Sequence, residues 1–288
     1  MRTTFLEKSR RPLVSKLAVV VAATVIAGVM SPSSATADEL RLGGTGAALA
    51  NIQRLAETFA ATRPELTVKA VPSLGSSGGI KALLAGALDV SVSARRLKDE
   101  ERCAGATAAE YARSPLVFAT SGMAAGGFSR AELVRIYAGE TTAWPDGTAM
   151  RMVLRPKTES DIQILRDISE DMSRAIDTAF ARPGVIEAQT DQDNAEALEA
   201  IPGSIGTSTL GQIVAERRAL QVLTLDGIEP TPAAAAAGRY PLIKAFYMVV
   251  RNDAPPVVRE FAAFVLSPAA RPILQQQGFW AQGPQPGH

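Results

Sequence analysis

The stretch from Val71 to Leu97, VPSLGSSGGIKALLAGALDVSVSARRL, limits most tightly what this chain can fold into. An apolar run enters Gly75-Ser76-Ser77-Gly78-Gly79, a helical segment follows from Ile80 to Ala85, and after Gly86 comes the alternating strand Asp89 to Ser93. Strand, glycine loop, helix and strand in that order make the unit from which parallel sheets with helices on their faces are built. The loop itself admits two readings. Its small residues let backbone N–H groups and the positive end of the helix dipole face an anion. Equally, a serine here is an ordinary helix cap, and the glycines only turn the chain.

The same arrangement occurs one unit earlier. Glu39 to Leu42 reads as a strand ending in Gly43-Gly44-Thr45-Gly46, and Ala47 to Thr62 places Leu49, Ile52, Leu55, Ala56 and Phe59 on one helical face before Pro64 stops it. Leu66 to Val71 is the next strand. In sheets of this kind ligands bind beyond the carboxyl ends of the strands, so Thr45, Gly46, Ser76 and Ser77 are expected to share a crevice. Arg95, just past the strand Asp89 to Ser93, faces the same crevice or is a solvated arginine at a helix start. A third strand, Arg151 to Arg155, delivers Thr158-Glu159-Ser160-Asp161 to the helical run Ile162, Leu165, Ile168 and Met172. There Thr158 and Asp161 also fit a capping pattern that requires no ligand.

Further strands are expected at Ser114 to Thr120, Gly203 to Thr209, Leu220 to Leu225 and Ala245 to Val250. Helices are expected at Ser129 to Tyr137, Asp191 to Ala200, Thr231 to Gly238, Pro255 to Leu266 and Pro268 to Gln276, with a hinge in SGMAAGG after Thr120 and a frayed Pro/Gly-rich tail.

Several function classes are excluded by composition. The chain has 288 residues, 47% hydrophobic and 20% charged, an ordinary globular balance. Arg2, Lys8, Arg10, Arg11 and Lys16 precede the apolar run Leu17 to Met30 and the small residues Ala35-Thr36-Ala37, which together read as a signal peptide cut before Asp38. Ser9-Arg10-Arg11-Pro12-Leu13 is compatible with a twin-arginine signal as well as with a plain basic leader. Loss of five basic residues and the acidic Glu7 with that leader takes the formal net charge from +1 to −3, which gives no footprint for nucleic acid. One cysteine and one histidine, Cys103 and His288, leave no intrachain disulfide, no ordinary zinc site and no histidine-based triad, so neither a metal nor another cofactor is expected. Cys103 lies in the polar, alanine-rich stretch Lys98 to Ala112 and reads as a half-buried helix position.

Taken in order, Gly43-Gly44-Thr45-Gly46, GSSGGIKALLAGALDVSVSARRLKDEE, FSRAELVRIYAGETTAWPDG, IPGSIGTSTL, LTLDGIEPTPAAAAAGRYPL and FVLSPAARPILQQQGF span nearly the whole chain after the leader. In this set the chain resembles the periplasmic phosphate-binding proteins of bacterial phosphate ABC transporters. The resemblance implies an α/β fold of the two-lobed, type II periplasmic-binding-protein class with a ligand cleft between the lobes. One lobe would comprise 38–119 plus 241–288 and the other 120–240. It also implies a monomeric, non-enzymatic, periplasmic protein that captures inorganic phosphate or a related oxyanion and presents it to an ABC transporter permease. The alternative is a protein of the same fold that reports an altered ligand to a membrane sensor.

Carried over residue by residue, the ligand set is Thr45, Gly46, Ser76, Ser77, Arg95, Arg155, Ser160 and Asp161. The family's Gly-Ser-Gly-Thr loop is replaced here by Thr158-Glu159-Ser160-Asp161. An ionised carboxylate only accepts hydrogen bonds, so a single Asp161 would select a protonated oxyanion over sulfate. Two carboxylates beside a dianion repel it unless Arg155 and Arg95 offset them, so no more than one of Glu159 and Asp161 is expected to face the ligand; with both there, the pocket would prefer a neutral or cationic ligand.

Overall fold

The computed structural model describes residues 38–122 and 126–281. The leader, the centre of the SGMAAGG stretch and the last seven residues, and with them the expectations placed there, lie outside the described residues. The described residues belong to one compact unit.

The first half of the chain gives β1 (Asp38–Gly44), α1 (Gly46–Ala60), β2 (Leu66–Ala70), α2 (Gly75–Leu84), β3 (Val90–Ser93), α3 (Asp99–Cys103), β4 (Ala106–Thr120), β5 (Gly127–Phe128), α4 (Arg130–Ala138) and β6 (Arg151–Leu154). There follow α5 (Ser160–Arg166), α6 (Glu170–Ala181), β7 (Ile186–Glu187), α7 (Asp191–Ala200), β8 (Ser204–Thr209) and α8 (Leu210–Glu216). The chain closes with β9 (Gln221–Leu225), α9 (Pro232–Ala236), β10 (Ile243–Arg251), α10 (Pro256–Val265) and α11 (Arg271–Gln276).

The strands are ordered β2-β1-β3-β10-β4-β8-β6-β7, with β9 beside β4 and β5. β1 runs parallel to β2 and β3, and β6 parallel to β7 and β8. The antiparallel strands β4 and β10 join these two parallel groups. β4 is 15 residues long; Ala106–Pro115 pairs with β10, and Leu116–Thr120 pairs with β8 and β9. Tyr111 is the extra residue of a bulge opposite Phe246 and Tyr247. A bulge bends a strand and increases its twist, as a strand shared between two sheets requires.

Each sheet buries side chains on both faces, so its strands read as continuous apolar runs. Leu40, Leu42, Val92, Phe246 and Met248 pack with Ile52, Leu55 and Phe59 of α1 and with Phe261 of α10, while Val249 meets Ile80 and Leu83 of α2 on the opposite face. In the second sheet Leu116 and Phe118 join Ile136, Ile162 and Ile176. The alternate residues Val117 and Ala119 join Leu198 of α7 and Ile213 of α8. Each such side chain stabilises the fold by roughly 1.5–3 kcal/mol.

Two glycines are dictated by close backbone approach. Gly44 has φ +123°, and a Cβ there would lie 2.0 Å from the Val92 carbonyl oxygen. A Cβ on Gly79 would lie 2.5 Å from the Cα of Gly44, because α2 crosses the end of β1 with no room for a side chain.

Some local expectations are corrected. Strand β4 begins at Ala106, ahead of the strand expected from Ser114, because pairing with β10 overrides the helical preference of its alanines. Cys103 is exposed at the end of the short α3 rather than half-buried. The run from Ile162 to Met172 is two helices, since Ser169 caps α6 by accepting from the Met172 N–H. Thr158 caps nothing: Glu159 occupies the N-cap position of α5 and makes no capping bond.

Candidate anion site

The turn after β1 brings Thr45 to the N-cap of α1, where its side chain makes no bond to its own helix. Its hydroxyl instead donates to Asp191 Oδ2 at 3.0 Å, and the Ala47 N–H, one of the unpaired donors of the first turn, donates to the same oxygen at 3.0 Å. Asp191 is the first residue of α7, so one carboxylate ties the N-termini of two helices together. Gln192 Nε2 adds a bond to the Gly46 carbonyl, and Thr209 Oγ1 donates to the Ala47 carbonyl at 3.5 Å.

Two cations face the other oxygen of that carboxylate. Arg155, at the end of β6, is 2% exposed; its Nη1 donates to the Ala188 carbonyl at 2.5 Å and its Nε lies 3.7 Å from Asp191 Oδ1. Lys244, on β10 and 1% exposed, has its ammonium 4.0 Å from Asp191 Oδ1. The same ammonium makes a close ion pair with Asp161 Oδ1, whose Oδ2 accepts from Thr207 Oγ1 at 3.2 Å. Glu159 Oε2 stands 3.6 Å from Arg155 Nη2. Two cations are therefore set among three carboxylates inside the protein.

The ionisation of these groups follows from that packing. Burial pushes the Asp191 carboxyl up, but Lys244, Arg155 and the donors Ala47 and Thr45 outweigh it and hold Asp191 below the usual carboxylate range. For Lys244, burial disfavours the ammonium, and the carboxylates of Asp161 and Asp191 more than compensate, so its pKa is raised. Glu159 is pushed up, chiefly by burial with the neighbouring carboxylates adding to it, despite Arg155.

Of the residues singled out in the sequence, Thr45, Arg155 and Asp161 come together in this cluster, and Gly46 joins it through its carbonyl. Ser160, beside Asp161 at the start of α5, has a buried hydroxyl without a partner. Ser76, Ser77 and Arg95 form a second group. Ser76 Oγ accepts from the Ala94 N–H at 2.9 Å, Ser77 Oγ accepts from Arg95, and Arg95 pairs with Glu101 at 2.7 Å. Both Glu159 and Asp161 reach the cluster, Glu159 beside Arg155 and Asp161 on Lys244, a residue not singled out in the sequence. A lone lysine in the apolar run LIKAFYMVV was the available signal, since a buried lysine must be paired. Asp191 went unnoticed because an aspartate at a helix start fits an ordinary N-terminal position.

Among the described residues no group of histidine, cysteine, aspartate or glutamate side chains could hold a metal ion, and no helix is long and apolar enough to cross a membrane.

The model of the PBP superfamily domain matches residues 30–269. A phosphate-binding protein PstS of Borreliella burgdorferi is 24% identical over 215 residues, 71% of this chain and 76% of the relative. A phosphate-bound structure from Clostridium perfringens superposes with a TM-score of 0.71 at 18% identity, covering 85% of this chain and all (100%) of the other. The periplasmic molybdate-binding protein of Azotobacter vinelandii superposes with a TM-score of 0.60 at 16% identity, with the same 85% and 100% coverage.

Proposed function

We propose, on the premise that this chain belongs to the PBP superfamily, that it is a solute-binding protein that captures phosphate or a similar tetrahedral oxyanion for an ABC transporter. One observation carries this reading. The Thr45 hydroxyl, the Ala47 N–H, the Arg155 guanidinium and the Lys244 ammonium, from three different segments, converge on a single buried anionic group. A helix N-terminus with an orphan N–H, a hydroxyl and a guanidinium make a set that recognises oxyanions. The similarity to phosphate-binding and molybdate-binding proteins supports the same ligand class.

In this reading Asp161 sets selectivity. Its carboxylate, fixed by Lys244 and Thr207, accepts the hydrogen of a protonated oxyanion and repels sulfate, which has none to offer. The lobes comprise 38–119 with 241–288, and 120–240. The two large hydrophobic cores support that division except along the crossing strands, where Leu116, Phe118 and Leu242 already pack with the second core. Residues 1–37 act as the export signal, the protein works in the periplasm as a monomer without catalysis, and closure of the lobes on the anion makes the surface that a permease reads.

Calorimetric titration with phosphate, arsenate, molybdate and sulfate tests the assignment. Saturable one-site binding of phosphate with sulfate rejected is expected. Absence of heat with every oxyanion, in the wild type and in an Asp191→Ala variant alike, refutes it.

A further inference from the structure

Resting on that reading of the site, we infer that the Asp191 carboxylate is a tethered occupant of the anion cradle. It takes the hydrogen bonds and charge contacts that an oxyanion would take, so oxyanion binding is an exchange of one anion for another.

Three features of the geometry lead there. First, the Asp191 side chain makes its hydrogen bonds to α1 and not to its own helix. Helix α7 is capped reciprocally by Thr190, whose hydroxyl accepts from the Asp193 N–H, and by Asp193, whose carboxylate accepts from the Thr190 N–H. The Asp191 side chain points away to serve α1, and it can leave without uncapping α7.

Second, the occupant fits its donors incompletely. Oδ2 takes both hydrogen bonds from α1, yet Oδ1 stands 3.7 Å from Arg155 Nε and 4.0 Å from Lys244, beyond hydrogen-bond distance. Arg155 Nε is buried and has no hydrogen-bond partner. A buried guanidinium N–H left unmade is uncommon, and here it faces the occupied position across a gap. A planar two-oxygen carboxylate cannot reach both sides at once; a tetrahedral group with four oxygens can.

Third, the charges suit an exchange. Arg155 and Lys244 are set against Glu159, Asp161 and Asp191. A singly charged oxyanion that replaces the Asp191 carboxylate leaves the sum unchanged, whereas a dianion adds one more negative charge to a buried cluster. The protein is thus set for a protonated, singly charged oxyanion, and its affinity is reduced by the fraction of time the cradle is free of Asp191.

The test compares wild type with Asp191→Ala by titration with phosphate and, separately, with formate, the side chain's own carboxylate as a free ion. If Asp191 fills the cradle at least nine-tenths of the time, Asp191→Ala binds phosphate at least about 10-fold more tightly than wild type. Formate then binds the variant and not the wild type. Asp191→Asn, which fills the same space without charge, is the second variant should the alanine protein not fold, and it too should gain affinity for phosphate.

The wild type itself offers a reading that needs no substitution. At saturating phosphate the Asp191 carboxyl carbon and the Ala47 amide proton should both shift in NMR spectra as the acceptor changes. Equal phosphate affinity in wild type and folded variants, or an Asp191 carboxyl carbon unmoved by bound phosphate, overturns the inference and leaves the oxyanion reading standing. Uptake of formate by Asp191→Ala, with no oxyanion bound by any form of the protein, upholds the occupant and defeats the oxyanion reading.

Discussion

Lys244→Met removes the cation that lies between Asp161 and Asp191. The ammonium is almost fully buried, pairs with Asp161 and stands 4.0 Å from Asp191. Methionine fills similar space, so the main effect is electrostatic: two buried carboxylates remain, with Arg155 alone to offset them and Glu159 also beside it. Removing one partner of a buried pair costs about 3–5 kcal/mol, whereas replacing both partners by apolar groups is often close to neutral. For a protein stable by about 5–15 kcal/mol this is a large fraction. At about 2–4 °C per kcal/mol it lowers the melting temperature by roughly 10 °C.

The loss also depends on pH. In the wild type Asp191 is held below its ordinary range. Its contribution is therefore present above the unfolded value near about 3.9 and is lost only as the pH falls through the depressed folded value. Without Lys244 that depression weakens, and stability should begin to fall at a higher pH than in the wild type. Urea unfolding of wild type, Lys244→Met and Lys244→Met/Asp161→Leu at several pH values measures this, with the double variant expected to recover most of the loss. A single-variant cost below about 1 kcal/mol, with no improvement in the double variant, would refute the account of the buried cluster.

Three other outcomes are expected. Arg155→Met should weaken phosphate binding by about 10- to 100-fold, the worth of one charge-assisted hydrogen bond, and titration against wild type reads it. Because the Glu159 carboxyl is pushed up by burial, its ionised form opposes folding; Glu159→Gln should raise the melting temperature at neutral pH, and the gain should fade as the pH falls through the raised folded value and be gone below the unfolded value of about 4.3. Gly79→Ala forces a Cβ to within 2.5 Å of the Gly44 Cα and should cost about 1–3 kcal/mol in urea unfolding, with a shift of the α1 N-terminus visible as weaker phosphate binding.

The strand and helix order was legible because hydrophobic period and glycine punctuation agree along most of the chain, as in Leu49, Ile52, Leu55, Ala56 and Phe59 on the buried face of α1. It failed where long-range pairing decides. Ala106 to Ala112 looks helical by composition and is strand because β10 lies beside it. The site was half legible. Thr45, Arg155 and Asp161 could be placed, since each follows a strand end. Asp191 and Lys244 could not, because their roles arise only when α7 is brought to α1 and β10 to α5, contacts 144 and 83 residues apart in sequence. At Gly75 to Gly79 no serine caps α2, whose N-cap is Leu74. Gly79 is required by the close crossing of α2 over β1, and the serine hydroxyls serve the loop at Ala94 and Arg95.

The most direct measurement is a crystal structure of the protein at saturating phosphate. The account expects a tetrahedral anion between the Thr45 hydroxyl, the Ala47 N–H and Arg155 Nε, with the Asp191 carboxylate turned out of the cradle. Asp191 still seated on Thr45 and Ala47, with phosphate bound elsewhere or not at all, would contradict it.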